Sequence, residues 1–258
     1  MHLLRSILFA LLLTITIPPA ALVALCMAPF PPQLRYKVIS KWAQSMMPLI
    51  RIVLGIRYRV IGRENLPAVP SVILSKHQSA WETIAFQAIF PPIAFVLKRE
   101  LLRLPFFGWG LAQMPIISID RAAGKDALLQ VVDQGKARIA EGFWVVVFPE
   151  GTRAAIGSQK RYKVGGASLA IGANAPVVPV AHNAGEFWRR NAFVKRPGEV
   201  VVSIGPAIDP KGLSAEELNI RVEAWIEGEM RRLFPHHYGD AAPTVLSSLA
   251  DEPVRSRS

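Results

Sequence analysis

Between Ser6 and Leu34 the chain carries no charged residue. The run reads ILFALLLTITI, then Pro18-Pro19, then AALVALCMAPF. Such a stretch has to be covered, either by the chain's own core or by lipid. A helix over Ser6–Phe30 would be about 37 Å long, against roughly 30 Å of bilayer hydrocarbon. The proline pair sits in its middle, where an interior proline costs about 3 kcal/mol. The sequence therefore predicts a kink, or two short helices that enter and leave the same leaflet. A cleaved signal peptide is the competing reading. The run outlasts a usual signal core, the small-residue cleavage pattern is poor, and Leu25 before Cys26 is unlike a lipoprotein junction. Residues 1–34 thus read as a retained membrane anchor, spanning or re-entrant. The flank that follows carries Arg35, Lys37, Lys41 and Arg51, so the positive-inside rule keeps the rest of the chain cytoplasmic.

Residues 35–56 mix basic and apolar positions and read as an amphipathic helix at the membrane surface. Residues 57–239 alternate short β-rich runs with helical stretches. The strands expected are Arg57–Ile61, Ser71–Leu74, Ile93–Leu97, Ile116–Ile119, Phe143–Phe148, Val177–Val180 and Val200–Ile204. Several are continuous apolar runs, as strands buried on both faces are. Ala127–Glu141 has helical spacing, and Ser214–Phe234 opens with a capping box of Ser214 and Glu217. The alternation predicts an α/β domain: a mixed, largely parallel sheet flanked by helices, behind an N-terminal hydrophobic helical membrane anchor. Residues 240–258, rich in Ala, Pro and Ser, read as a disordered tail.

Composition narrows the function classes. Of 258 residues, 51% are hydrophobic and 19% charged, enough for a sizeable core and against a disordered chain. The net charge of +11 calls for an anionic partner: a membrane surface, a phosphorylated substrate or nucleic acid. The single cysteine, Cys26, rules out an intrachain disulfide and a cysteine-built zinc site. No metal-ligand pattern or nucleotide loop is present in the sequence, so neither a metal nor a bound cofactor is expected.

Two segments carry chemistry. Lys76-His77-Gln78-Ser79-Ala80-Trp81-Glu82-Thr83 follows an expected strand, and open α/β sheets bind ligands at the carboxyl ends of their strands. His77 and Glu82 are five residues apart, about 140° on an ideal helix. They meet only if His77 lies in the turn and Glu82 in the first helical turn. A carboxylate on one ring nitrogen would leave the other free to take a proton from a hydroxyl. Phe148-Pro149-Glu150-Gly151-Thr152-Arg153 follows the most apolar strand. Gly151 permits a tight turn, Thr152 and Arg153 offer donors, and arginine grips phosphate with paired hydrogen bonds. Arg121, also just past a strand, is a second phosphate candidate.

In order, KHQSAWET, ISIDR, VVVFPEGTR and VPVAHNAG resemble the four sequence blocks of the glycerolipid acyltransferases, the bacterial 1-acyl-sn-glycerol-3-phosphate (lysophosphatidate) acyltransferases above all. Lys98 to Trp109 resembles the family's segment before the second block, and the resemblance covers about residues 55–205. It implies transfer of a fatty acyl group from acyl-CoA or acyl carrier protein to the sn-2 hydroxyl of a lysophospholipid acceptor, giving phosphatidate. It also implies a cytoplasmic-facing enzyme on the inner membrane. His77 takes the catalytic position and Glu82 that of its acidic partner, where most members resemble a His-x4-Asp pattern. Arg121, Glu150, Gly151, Thr152 and Arg153 match substrate-binding positions.

Three other readings stay open on the sequence. An acyltransferase for glycerol-3-phosphate or another lysolipid would share all of these residues. A membrane-bound serine hydrolase would use Ser168, in a segment, Gly166-Ala167-Ser168-Leu169-Ala170, that approximates a nucleophile elbow. A nucleic-acid binder is suggested by charge alone. The basic residues are scattered and no known binding motif appears, so no nucleic-acid partner is expected.

Overall fold

A computed structural model describes residues 1–120 and 125–239. Arg121 and the expected tail at 240–258 lie outside them. All seven expected strands form: β1 (Ile56–Ile61), β2 (Val72–Ser75), β3 (Ile93–Lys98), β4 (Ile117–Ile119), β5 (Trp144–Val147), β6 (Val177–His182) and β7 (Gly198–Ile204). They make one sheet in the order β1-β7-β6-β2-β5-β3-β4. Every pairing is parallel except β6 with β7. The sheet is therefore mixed and largely parallel. Its three central strands, β6, β2 and β5, are buried along their whole length. Continuous apolar runs are what strands covered on both faces require.

The helices are α1 (His2–Cys26), α2 (Pro32–Leu49), α3 (Trp81–Ile89), α4 (Phe107–Ala112), α5 (Lys125–Ala140), α6 (Gly165–Ala173), α7 (Ala184–Phe187) and α8 (Ala215–Leu233). The Ser214–Glu217 capping box opens α8 as the sequence predicts. Helix α5 packs on α6 and α6 on α8, while α2 packs on α3. Gly135 makes the first contact possible, because a Cβ there would lie 2.5 Å from the Leu169 side chain.

One expectation needs correction. Helix α1 runs unbroken through Pro18 and Pro19 rather than dividing in two. The prolines remove two backbone donors, but docking holds both halves of the helix. Near its start Phe9 is fully buried and meets Trp188 edge-to-face at 5.5 Å. Close by, Ser6 Oγ accepts the Lys195 backbone N–H at 2.9 Å. Near its end Ala21 and Ala24 lie beside Gly110 of α4, where small residues allow close approach. Residues 35–56 include most of a second helix. Helix α2 buries Tyr36, Ala43, Met46 and Met47 against the domain. It ends in a π-helical turn, Ile50–Leu54, after Pro48, which lacks the N–H an α-helix would use. Lys37, Lys41 and Arg51 remain on its exposed side.

Helix α1 is the one helix among the described residues that is long and apolar enough to cross a membrane. Its outer face exposes Leu4, Leu8, Leu11, Ile15 and Leu22, while Phe9, Ala21 and Ala24 face inward. Phe9→Ala is expected to lower stability by about 3 kcal/mol and to open the α1–domain contact to protease. Thermal unfolding and limited proteolysis read both effects, and unchanged protection would show that α1 docks by other contacts.

Candidate active site

Parallel neighbours present their carboxyl ends on one edge of a sheet, and here β6, β2 and β5 are adjacent. Their C-terminal extensions bring together His182, then Lys76-His77, then Phe148 to Arg153. His77 sits in the turn after β2, and Glu82 in the first turn of α3. The two meet at 2.9 Å between His77 Nδ1 and Glu82 Oε1. Glu82 is fully buried. Its Oε1 also accepts the backbone N–H groups of Gln78, at 2.9 Å, and Ser79, at 2.7 Å. Burial by itself would raise the Glu82 pKa. The imidazoles of His182 and His77, the bond from His77 and the Ser79 amide outweigh it and hold the carboxyl below its ordinary value. An ionised carboxylate only accepts, so His77 donates from Nδ1. In the neutral ring Nε2 is then the acceptor.

The His77 ring stacks on Phe148, with centroids 4.0 Å apart and planes 16° from parallel. Its own backbone is clamped on both sides. The N–H donates to Glu150 Oε1 at 3.3 Å, and the carbonyl accepts the Ala154 N–H at 2.6 Å. His182 is fully buried and structural. Its Nε2–H donates to the Lys76 carbonyl at 2.8 Å, and its Nδ1 accepts the Ala184 N–H at 3.3 Å. Burial pushes its pKa down, with Glu82 opposing.

His77 opens onto a cavity of about 1020 Å³. Its polar lining includes Thr152, Arg153, Lys98 and Lys163, and its apolar lining includes Leu13 and Ile17 of α1 and Trp42 of α2. A mostly apolar cavity with a few cationic and polar groups suits an amphiphile with an anionic head. Lys98, the last residue of β3, is a lining residue that the motif reading passed over. Its place at a strand's carboxyl end was the available signal.

Of the sequence-predicted site residues, the structure brings His77, Glu82, Gly151, Thr152 and Arg153 together around this cavity or its base. Glu150 is different. Its carboxylate is turned into the protein, away from the cavity, 3.7 Å from Lys76 Nζ. Burial raises its pKa to about 7, with Lys76 opposing and Glu227 adding to the rise. Gly151 takes φ +68°, and its N–H closes a turn onto the Phe148 carbonyl at 3.0 Å. That N–H is therefore used within the loop rather than offered to a substrate oxygen. Ser168 lies inside α6, its N–H bonded to the Val164 carbonyl, and does not line the cavity. The strand-to-helix elbow that a serine nucleophile needs is not formed there.

Known proteins resemble this chain in sequence and fold. A family model described as Acyltransferase matches residues 57–183. The chain is 44% identical over 250 residues to the 1-acyl-sn-glycerol-3-phosphate acyltransferase of Pseudomonas aeruginosa, covering 94% of this chain and 97% of that one. It is 30% identical over 184 residues to the human 1-acyl-sn-glycerol-3-phosphate acyltransferase alpha, covering 69% of this chain and 64% of the human protein. The crystal structure of the 1-acyl-sn-glycerophosphate (LPA) acyltransferase PlsC from Thermotoga maritima superposes with a TM-score of 0.76 and 25% sequence identity, over 90% of this chain and 95% of that one.

The burial of Glu150 has a measurable consequence. Its folded pKa, about 7, lies above the ordinary carboxyl value of 4.5. Its contribution to stability is complete below the ordinary value and is lost as pH rises through about 7. Glu150→Gln is expected to flatten the fall in stability across that window, read by chemical unfolding at several pH values. A fall of wild-type size in Glu150→Gln would place the titration elsewhere.

Proposed function

The chain belongs to the 1-acyl-sn-glycerol-3-phosphate acyltransferases, a family of enzymes, and on that premise we propose that His77 is the general base of its acyl transfer. The observation that carries this is the His77–Glu82 bond at the cavity, which leaves Nε2 to accept a proton. The acceptor is lysophosphatidate. His77 Nε2 takes the proton of its sn-2 hydroxyl as that oxygen attacks the thioester carbonyl of acyl-CoA or acyl carrier protein. Glu82 stays ionised and stabilises the imidazolium. The C–S bond then breaks, the imidazolium returns its proton to the thiolate, and phosphatidate leaves. No acyl-enzyme is required.

Arg153 holds the acceptor's phosphate, with Thr152 and, as the resemblance implies, Arg121. Positioning of the hydroxyl against the thioester is the expected gain. Lys98 and Lys163 add positive charge to the cavity lining. The apolar remainder takes the acyl chains.

The membrane assignment follows from α1. The domain packs along one face of this helix, and the opposite face is apolar and exposed. That face enters the cytoplasmic leaflet of the inner membrane while the domain stays on the cytoplasmic side, so α1 lies within one leaflet rather than spanning the bilayer. Because α1 also lines the cavity, the lipid acceptor reaches His77 from the bilayer.

Protein in phospholipid vesicles, supplied with a labelled acyl thioester, is expected to convert lysophosphatidate to phosphatidate. His77→Ala should lower turnover by about 10²–10⁴, and Ser168→Ala should leave it unchanged. Transfer to glycerol-3-phosphate in place of lysophosphatidate would keep the mechanism and replace the acceptor. Full turnover by His77→Ala would overturn the base assignment.

A further inference from the structure

Behind the His77 turn, two carboxylates and one ammonium are buried together. Lys76 is fully buried, Glu150 is 5% exposed and Glu227 is 4% exposed. Lys76 comes from the end of β2, Glu150 from the loop after β5, and Glu227 from the middle of α8, far outside the four sequence blocks. Lys76 Nζ donates to Glu227 Oε1 at 2.6 Å and to the Ser158 carbonyl at 3.2 Å. It stands farther from Glu150 Oε1, at 3.7 Å. Tyr162, in the loop before α6, donates its hydroxyl to the same Glu227 oxygen at 2.9 Å.

The lysine is thus satisfied mainly by Glu227. This leaves Glu150 Oε1 to accept the His77 backbone N–H. Without Glu227 the buried ammonium would have one carboxylate within reach, Glu150. A buried charge without its partner is strongly unfavourable, so Lys76 would draw Glu150 to itself and away from the His77 amide. The geometry points to Glu227 as a positioning residue for the acyl transfer: it occupies Lys76 so that Glu150 holds the His77 turn in place. It touches no substrate and acts through Lys76 and Glu150. The inference rests on His77 being the base.

The charged and titratable groups facing Glu150 are Lys76 from the strand end, Glu227 from α8 and Tyr162 from the intervening loop. Removing the Glu227 charge relieves its repulsion of Glu150 and gives Glu150 the whole of Lys76. The Glu150 pKa should then fall, a change that simple loss of packing would not produce.

The test compares wild type, Glu227→Gln, the pair Lys76→Met/Glu227→Met, and His77→Ala in the same vesicle assay. Each is assayed well below its own melting midpoint, so that all of the protein is folded. Glu227→Gln is expected to lower kcat by about 10- to 100-fold with the KM for lysophosphatidate within about twofold of wild type. Its stability should no longer fall as pH rises toward 7. The paired replacement removes opposite charges together, so it is expected to fold even if Glu227→Gln does not and, with no ammonium left to draw Glu150 away from the His77 amide, to keep kcat within about threefold of wild type. Wild-type kcat in folded Glu227→Gln, an approximately 10- to 100-fold loss of kcat in the paired replacement, or an unchanged pH dependence of stability in Glu227→Gln overturns the inference. If His77→Ala is inactive while Glu227→Gln keeps wild-type kcat, the inference alone has failed. If His77→Ala is fully active, the base assignment has failed first.

Discussion

The parallel pairing of β2 with β5 on one side and with β6 on the other is the constraint on which the site depends. Val72 lies opposite both Val145 and Val177, and the register continues to the strand ends. Parallel strands end on the same edge, so three segments distant in sequence converge there. One supplies His77, one the Phe148–Arg153 loop and one His182. The strands themselves are apolar and covered on both faces, which leaves polar chemistry to the turns that follow them. A one-residue slip of β2 would reverse the direction of every side chain on it and separate His77 from the loop after β5.

Close polar contacts hold the turns in place. Glu82 alone accepts three hydrogen bonds at one oxygen. Carboxylates in such surroundings lose hydration that only close partners replace. The arrangement gives His77 a tautomer fixed by a neighbour rather than by solvent. Helix α1 adds a second coupling. The same helix presents apolar side chains outward and lines the cavity inward.

Much of this was legible in the residues. The seven strands are apolar runs bounded by turn residues, and each lies within a few positions of where periodicity puts it. The spacing of His77 and Glu82 is informative because only a turn-plus-helix geometry lets them meet, and that geometry forms even with glutamate in place of the more usual aspartate. Other features depend on contacts between distant parts of the chain. Glu150 stands in a motif between residues that face the cavity, but its direction is decided by Lys76 and by the amide of His77. Glu227 is 151 residues from Lys76, and nothing in α8 marks its partner. The proline pair in α1 reads as a break because local propensity is against it, while docking at Phe9, Ala21 and Ala24 carries the helix through. Ser168 matches an elbow in sequence, yet α6 has already begun at Gly165.

The central claim is that Glu82 holds His77 with its proton on Nδ1, leaving Nε2 as the base. Nitrogen-15 NMR of the imidazole, with His77 assigned by comparison with His77→Ala, reports that tautomer directly. At a pH where the ring is neutral, the account predicts a protonated Nδ1 and a bare Nε2, with the preference lost in Glu82→Gln. A neutral ring protonated on Nε2, or a tautomer indifferent to Glu82, would contradict it.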